Sequence, residues 1–256
     1  MIEIPLLTMI TAMLTIGVRL SGLMLFAPFF GSVVIPIRIK AIFVFAMTLL
    51  LFPTVGQQIN PRIMTHWPFM IFNEFLIGAG MGIATNIVFE AIQLSGQVLG
   101  IQMGYSLINI LDPQTQVDTT VMATFYQSIV MLLFLQMDVQ LWLLRAVTKS
   151  YQYLPPGTVR LNSLFTLSIL KTAGEVFGLG VQIAAPVLAA TLAADVILGL
   201  LGKSSPQMPL MLLGPAVKSL LGLTVLIATL RYWPDLFRRL FTDAVMNGER
   251  LLHLAS

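Results

Sequence analysis

Charged side chains that interrupt long apolar runs are the residues here with the clearest capacity for chemistry. A carboxylate at membrane depth can relay a proton or pair with a cation, and a buried cation needs a partner or water. Lys171 and Glu175 would share a helix face at a spacing of four. Asp195 and Lys218 flank the turn at residues 202–209 and could pair across it. The full set is Arg19, Glu74, Glu90, Lys171, Glu175, Asp195 and Lys218.

Each of these charges also has a plain structural interpretation. Arg19 could snorkel near a helix end, although its central position favours contact with protein, water or an interface. For Glu74 and Glu90 the sequence favours positions near helix ends, paired with a loop cation, over proton transfer. Unpaired, Lys171 and Glu175 would together oppose membrane insertion by about 5–7 kcal/mol.

Motifs for catalysis are missing from the sequence. His66 stands in a polar stretch and His253 near the last residue, so neither suits a buried relay. There is no HExxH, no Gly-x-Ser-x-Gly and no phosphate-binding glycine loop. Cysteine is absent, which excludes disulfides and thiolate metal sites. We therefore expect a protein that is not an enzyme and that holds no cofactor or metal.

The composition identifies the class of protein that must position these side chains. The chain is 57% hydrophobic and 10% charged, against about 25% charged in soluble domains. Its 256 residues have room for about six apolar spans of roughly 20 residues. A net charge of +3 suits an anionic membrane and gives no reason to expect nucleic acid. The sequence thus predicts an all-α integral membrane protein.

Residues 90–118 join a tightly packed helix to a polar loop. Gly96, Gly100 and Gly104 recur every four residues, so on a helix they would form one small-residue stripe for close packing. Proline 113 predicts that the helix ends near residues 110–113, because proline lacks an N–H and restricts the residue before it. A polar loop at membrane depth suits a channel or gate lining better than a lipid anchor.

The apolar runs predict the other elements of the N-terminal part. Residues 4–30 are long enough to span a membrane, whereas residues 41–51 are short and predict a half-span or a stacked helix. Residues 121–146 predict one uninterrupted apolar helix. An interfacial anchor is predicted after it, formed by Arg145, Lys149, Arg160, Tyr151 and Tyr153.

The C-terminal part predicts a helical hairpin over residues 164–231. Its first arm would reach about Leu201, too long for one straight helix across a bilayer, and Pro186 offers a place to kink. Residues 233–256 predict an amphipathic tail on the membrane surface.

The run Gly96-x-x-x-Gly100-x-Gln102-Met103-Gly104, followed by Asp112-Pro113, resembles the signature of the FliR family of flagellar export-gate subunits and their type III secretion counterparts. The resemblance spans roughly residues 15–230. It departs at Gln97, where the family often has glutamate, and at residues 137–140, where it often has a Gly-His pair. Further matches, in order, are Arg19 with Pro28 and Pro36, Gly78-x-x-x-Gly82, residues 132–135, Ser150 with Pro155, and residues 199–201 ahead of Pro206-Gln207.

The resemblance implies a non-catalytic subunit of a flagellar or type III export gate. Such a subunit forms part of a protein-conducting channel for unfolded substrates in the bacterial inner membrane, within the flagellar basal body. Residues 1–163 would be a FliP-like helical part, residues 164–232 a FliQ-like hairpin and residues 233–256 the tail. The implied partners are FliP-like and FliQ-like subunits, FlhB- or FlhA-type components and membrane lipid.

A plug loop over residues 104–120 would project into that channel and seal it. An interface loop without a sealing role is the alternative. The predicted pore residues are Met103, Gly104, Tyr105, Leu107, Ile110, Leu111, Asp112 and Pro113. The predicted helix-packing glycines are Gly78, Gly82, Gly96 and Gly100, and the predicted hairpin turn contains Pro206 and Gln207.

A secondary transporter of a small solute is the other class that fits the sequence. Transporters also use broken helices, glycine-rich crossings and a few intramembrane charges. Against this, the two halves lack matching broken segments in corresponding positions, which repeat-built transporters usually show.

Overall fold

The computed structural model describes residues 6–32, 34–56, 67–105, 120–155, 163–204 and 210–253, and within these ranges all regular structure is helical. In these ranges, five helices are long and apolar enough to cross a membrane, and a bent pair, Val121–Gln136 with Val139–Tyr153, would make a sixth if it forms one span. The helices are α1 (Leu6–Phe26), α2 (Ile37–Val55), α3 (Trp67–Gln102), α4 (Val121–Gln136), α5 (Val139–Tyr153), α6 (Ser163–Ser204), α7 (Leu210–Leu230) and α8 (Trp233–His253). The prediction of an all-helical protein is confirmed for the described residues, and the number of candidate spans agrees with the six expected.

The chain forms two compact units that share several helices. The first unit comprises Met1–Ile87, Phe134–Ala173 and Phe241–Ser256, and the second comprises Val88–Leu133 and Gly174–Leu240. The division into FliP-like and FliQ-like parts at residue 163 is a separate claim about resemblance and stays a prediction.

Helix α2 is longer than the half-span predicted for it. It begins at Ile37, directly after Pro36, and its 19 residues qualify as a candidate span. Pro53 removes only one N–H, near the helix end, so it does not shorten the element. Arg38 stands in the first turn, where a long side chain can reach the membrane interface. The prediction of a half-span over residues 41–51 was therefore wrong.

The uninterrupted helix predicted over residues 121–146 is also wrong. Helix α4 ends at Gln136 and α5 begins at Val139. Between them Asp138 has φ +55°, in the left-handed region. Aspartate is among the few residues besides glycine that adopt this conformation. The break coincides with residues 137–140, one of the two places where the sequence departs from the FliR pattern.

Helix α6 runs from Ser163 to Ser204 and continues through Pro186. Its 42 residues correspond to about 63 Å, twice the thickness of a hydrocarbon core of about 30 Å. The expectation of an arm too long for one straight crossing is consistent with this length.

Helix α8 covers its apolar face with protein. In the second unit Trp233 packs against Tyr126 with ring centroids 5.0 Å apart, and in the first unit Phe241 packs against Phe134 at 5.5 Å. The tail is amphipathic, but its apolar side is not free to enter a membrane surface as predicted. The buried side consists of Trp233, Phe237, Phe241, Ala244, Gly248 and Leu252.

Candidate functional site

Helices α1 and α3 of the first unit cross with their backbones in contact. A Cβ atom at Gly78 would lie 2.9 Å from the backbone nitrogen of Leu23, and one at Gly82 would lie 2.8 Å from that of Ala27. Gly22 on α1 meets the backbone of α3 in the same way. Only glycine permits approaches this close, as in helix pairs within membranes. The sequence pointed to Gly78 and Gly82 through their spacing and missed Gly22.

The side chain of Arg19 lies in the protein interior beside this crossing. Its Nε donates a hydrogen bond to Glu74 Oε2 at 2.7 Å, and its Nη2 lies 2.7 Å from the same oxygen. Nη1 donates to Ser150 Oγ at 2.8 Å, and Nη2 donates to the carbonyl oxygen of Leu154 at 3.1 Å. Arg19 and Glu74 have 0% of their side-chain surface exposed. One guanidinium thus joins α1, α3 and the end of α5.

Tyr151 closes the other side of this guanidinium. The Cζ atom of Arg19 lies 3.9 Å from the centre of the Tyr151 ring, a cation–π contact. The Tyr151 hydroxyl donates to the carbonyl oxygen of Ile16 at 3.4 Å. Tyr151 is buried, so its predicted role in an interfacial anchor was wrong. It packs in the first unit because α5 turns this face towards α1.

This cluster corrects the plain interpretations of its two charges. Arg19 does not snorkel, and Glu74 pairs with a buried arginine rather than with a loop cation. A buried ion pair persists only when good geometry and further hydrogen bonds offset its desolvation. The charge-assisted bonds from Arg19 on α1 to α3 and to the end of α5 meet that condition. The arrangement is suited to clamping helices together, and it offers less to a proton relay.

In the second unit, α3 ends in a Schellman motif at Gly104, just before the predicted plug loop. Gly104 has φ +87°. The Tyr105 N–H donates to the carbonyl of Gly100 at 2.9 Å, and the Gly104 N–H donates to that of Ile101 at 3.1 Å. These are the two bonds that define the motif. The helix therefore ends at Gln102 rather than near residues 110–113.

The end of α3 docks onto α7. The Ser219 hydroxyl donates to the carbonyl oxygen of Met103 at 3.0 Å, and the Met103 side chain is buried against Gly222. A Cβ at Gly104 would lie 2.9 Å from the Cβ of Pro215. Pro215, Ser219 and Gly222 recur at spacings of four and three. That small-residue face is a signal that sequence reasoning could have used.

Two charged side chains reinforce this contact. Lys218 Nζ lies 3.0 Å from Asp195 Oδ1, so the pairing considered across the turn is present. Gln102 Nε2 donates to Asp195 Oδ2 at 2.7 Å. The Asp195 side chain remains 41% exposed. An exposed pair of this kind contributes about 0–1 kcal/mol in water, so it fixes geometry more than it stabilises.

The start of α4 packs against the earlier glycines of α3. A Cβ at Gly96 would lie 2.8 Å from the backbone nitrogen of Ala123, and one at Gly100 would lie 2.7 Å from the Cβ of Thr120. The Thr120 hydroxyl donates to the carbonyl oxygen of Gly96 at 3.1 Å. The three glycines therefore do not contact one common partner. Gly104 contacts α7, whereas Gly96 and Gly100 contact the start of α4.

The other predicted residues lie apart from these clusters. Lys171 and Glu175 are exposed, and Tyr105 is half-buried. Glu90 is exposed and stands well inside α3, so the expected position near a helix end was wrong. Outside the described residues lie Leu107, Ile110, Leu111, Asp112, Pro113, Pro206 and Gln207.

Replacing Gly104 by alanine should weaken the docking of α3 on α7. A left-handed alanine costs about 1–2 kcal/mol, and its methyl group would press on Pro215. We expect a loss of about 2–3 kcal/mol once overpacking is added, measured as a lower thermal unfolding midpoint in detergent. Gly178→Ala is the matched control, because a Cβ there has no neighbour within 4 Å. Equal midpoints for the two variants would contradict the docking.

Comparisons with known proteins agree on one family. The model of the family described as "Bacterial export proteins, family 1" matches residues 10–244. The chain is 26% identical over 246 residues to the flagellar biosynthetic protein FliR of Bacillus subtilis, covering 95% of each chain. It is 25% identical to FliR of Escherichia coli, covering 88% of this chain and 86% of that one. It is also 28% identical to the surface presentation of antigens protein SpaR of Shigella flexneri, covering 81% of this chain and 80% of that one.

Proposed function

Because this chain belongs to the FliR family of bacterial export proteins, we propose that it is a non-catalytic subunit of a protein export gate. In this proposal it forms part of the channel through which unfolded flagellar substrates cross the inner membrane. The description of the matching family, bacterial export proteins, supports a role in export, and the name of a relative, flagellar biosynthetic protein FliR, supports a flagellar one. Its candidate membrane spans support the location.

The anchoring of both ends of residues 106–119 is the observation that carries the channel proposal. On one side the Schellman turn at Gly104 is held to α7 by Ser219. On the other side Thr120 is held to α3 by Gly96 and Gly100. Because both ends lie beside Gly100 on α3, a segment that leaves and returns there can project into an opening as a single loop. We assign it the sealing role, with Leu107, Ile110 and Leu111 as the apolar side chains that block small ions.

The proposed partners follow from the family and from the exposed helices. Only 6% of the candidate span of α2 and 17% of that of α7 is buried within the chain. In a gate, part of these faces meets other subunits and part meets lipid. We assign these contacts to FliP-like and FliQ-like subunits, with FlhB- or FlhA-type components beneath them. The FliP-like part before residue 163 and the FliQ-like hairpin after it belong to the same proposal.

Deleting residues 109–116 should raise the leakage of small ions across the membrane several-fold. The deletion removes apolar side chains of the segment while leaving both anchors in place. Leakage is measured as conductance in bilayers or as ion flux into cells, with the chain co-expressed with its neighbouring subunits. A matched variant replaces the same residues with glycine and serine of equal length, which separates the effect of apolar side chains from that of length.

Assembly is the control for this experiment. Co-purification with FliP-like and FliQ-like subunits must be unchanged before conductance is compared. Unchanged conductance in an intact assembly would refute sealing and leave an interface loop. A chain that purifies alone, with no heteromeric particle, would instead favour the transporter.

A further inference from the structure

An open groove of about 370 Å³ lies between α2 and α5 in the first unit. Its floor is apolar, and its rim is basic. The floor is formed by Met47, Leu50, Leu51, Leu141 and Leu144, and the rim carries Arg145 and Lys149. Both helices belong to candidate membrane spans, α5 as half of the broken pair.

The two rim cations have no acidic counterpart in the described part of the chain. Arg145 and Lys149 are one helical turn apart and exposed, and neither takes part in the salt bridges found there. The polar side chain beside them, Thr148, donates its hydroxyl to the carbonyl oxygen of Leu144 at 2.9 Å. The groove therefore presents two positive charges beside a lining in which, among the described residues, Thr148 is the one other polar side chain.

We propose that this groove binds an anionic phospholipid, with an acyl chain along the leucines and the phosphate against Arg145 and Lys149. Basic pockets between transmembrane helices bind anionic headgroups in this way. The two basic side chains complement the negative charge of the phosphate, and the leucines offer an apolar surface to the acyl chain. The inference does not depend on the plug, and it holds for this chain in any assembly that leaves α2 and α5 facing lipid.

Lipid retention measured by native mass spectrometry tests the proposal. The full chain is purified in mild detergent and exposed to equal amounts of phosphatidylglycerol and phosphatidylcholine. We expect the chain to retain phosphatidylglycerol in preference to phosphatidylcholine. This retention should fall about thirtyfold in Arg145→Gln/Lys149→Gln, because each basic residue near an anionic lipid strengthens binding about fivefold. Arg239→Gln/Arg250→Gln removes the same charge from exposed positions on α8 and should retain the lipid.

A second variant keeps the test independent of charge. Leu144→Trp fills the apolar floor without changing the net charge, and it should also release phosphatidylglycerol. Equal retention of the two lipids by the unmodified chain would overturn the proposal. Equal losses of phosphatidylglycerol from the two double variants would overturn it as well, because they would show that the lipid responds to the net charge of the protein and not to this groove. Retention unchanged in all three variants would place any bound lipid outside this groove.

Discussion

Replacing Gly78 by alanine should destabilise the chain by about 3 kcal/mol, the upper end of the range for overpacking. The added methyl group would overlap the carbonyl oxygen of Arg19 and lie 2.9 Å from the backbone nitrogen of Leu23. Backbone atoms cannot rotate away as the tip of a side chain can, so α1 and α3 must separate. That separation also disturbs the ion pair between Arg19 and Glu74, which bridges the same two helices.

Gly80→Ala is the matched control for this prediction. Gly80 lies two residues away on α3 and is buried, but a Cβ there has no neighbour within 4 Å. Alanine at this site should be neutral or stabilising by up to about 1 kcal/mol, because helical glycine has the greater entropy loss. The measurement is the thermal unfolding midpoint of each detergent-purified variant. A Gly78→Ala midpoint equal to that of Gly80→Ala would refute the close crossing.

Glycine spacing in the sequence predicted part of this crossing. Gly78 and Gly82 stand four apart in an apolar run, so their packing role is visible without a structure. Gly22 has no such periodic partner, and its close contact with α3 depends on where the second helix crosses. A local sequence pattern indicates that one face of a helix carries small residues. It does not indicate which other helix packs against that face.

For the buried charges, too, the sequence identifies the residues but not their partners. Their rarity identifies Arg19 and Glu74 as candidates, since an intramembrane charge needs a partner. Their pairing over 55 positions of sequence is set by the crossing of α1 and α3. Asp195 and Lys218 were easier to pair, because they belong to helices that flank one turn.

The ends of helices were predicted poorly because the residues with the strongest helix-breaking tendency were not the residues at which the helices end. Proline 113 suggested a late end for α3, whereas a Schellman turn at Gly104 ends it earlier. Asp138 is left-handed, and although aspartate tolerates that conformation, a single aspartate after an apolar run does not by itself show that the helix breaks there. The tail looked suited to a membrane surface because amphipathicity alone does not distinguish lipid from protein as the cover of an apolar face.

Removing one member of the Arg19–Glu74 pair should be far more harmful than removing both. Arg19→Met leaves the Glu74 carboxylate buried without the guanidinium, and Glu74→Met leaves the Arg19 guanidinium buried without the carboxylate. Breaking a buried pair on one side costs about 3–5 kcal/mol, whereas replacing both members by apolar residues of similar volume is often neutral. We expect the double variant to be more stable than either single variant, which requires a coupling larger than the loss of about 3–5 kcal/mol caused by one single substitution. The thermal unfolding midpoints of the four proteins provide this cycle.

The same four proteins also show whether the ion pair has only a structural role or whether its charges are needed during export. If the pair only holds α1, α3 and α5 together, the double variant should regain both stability and export of flagellar protein. Regained stability without export would mean that the charges act during transport, and the clamp interpretation would then be incomplete. Additive losses, with no coupling, would contradict the pair itself. We expect the first result, because the Arg19 guanidinium also bonds Ser150 and Leu154 and covers the Tyr151 ring. These contacts fix the positions of α1, α3 and α5 relative to one another, which is what a clamp requires.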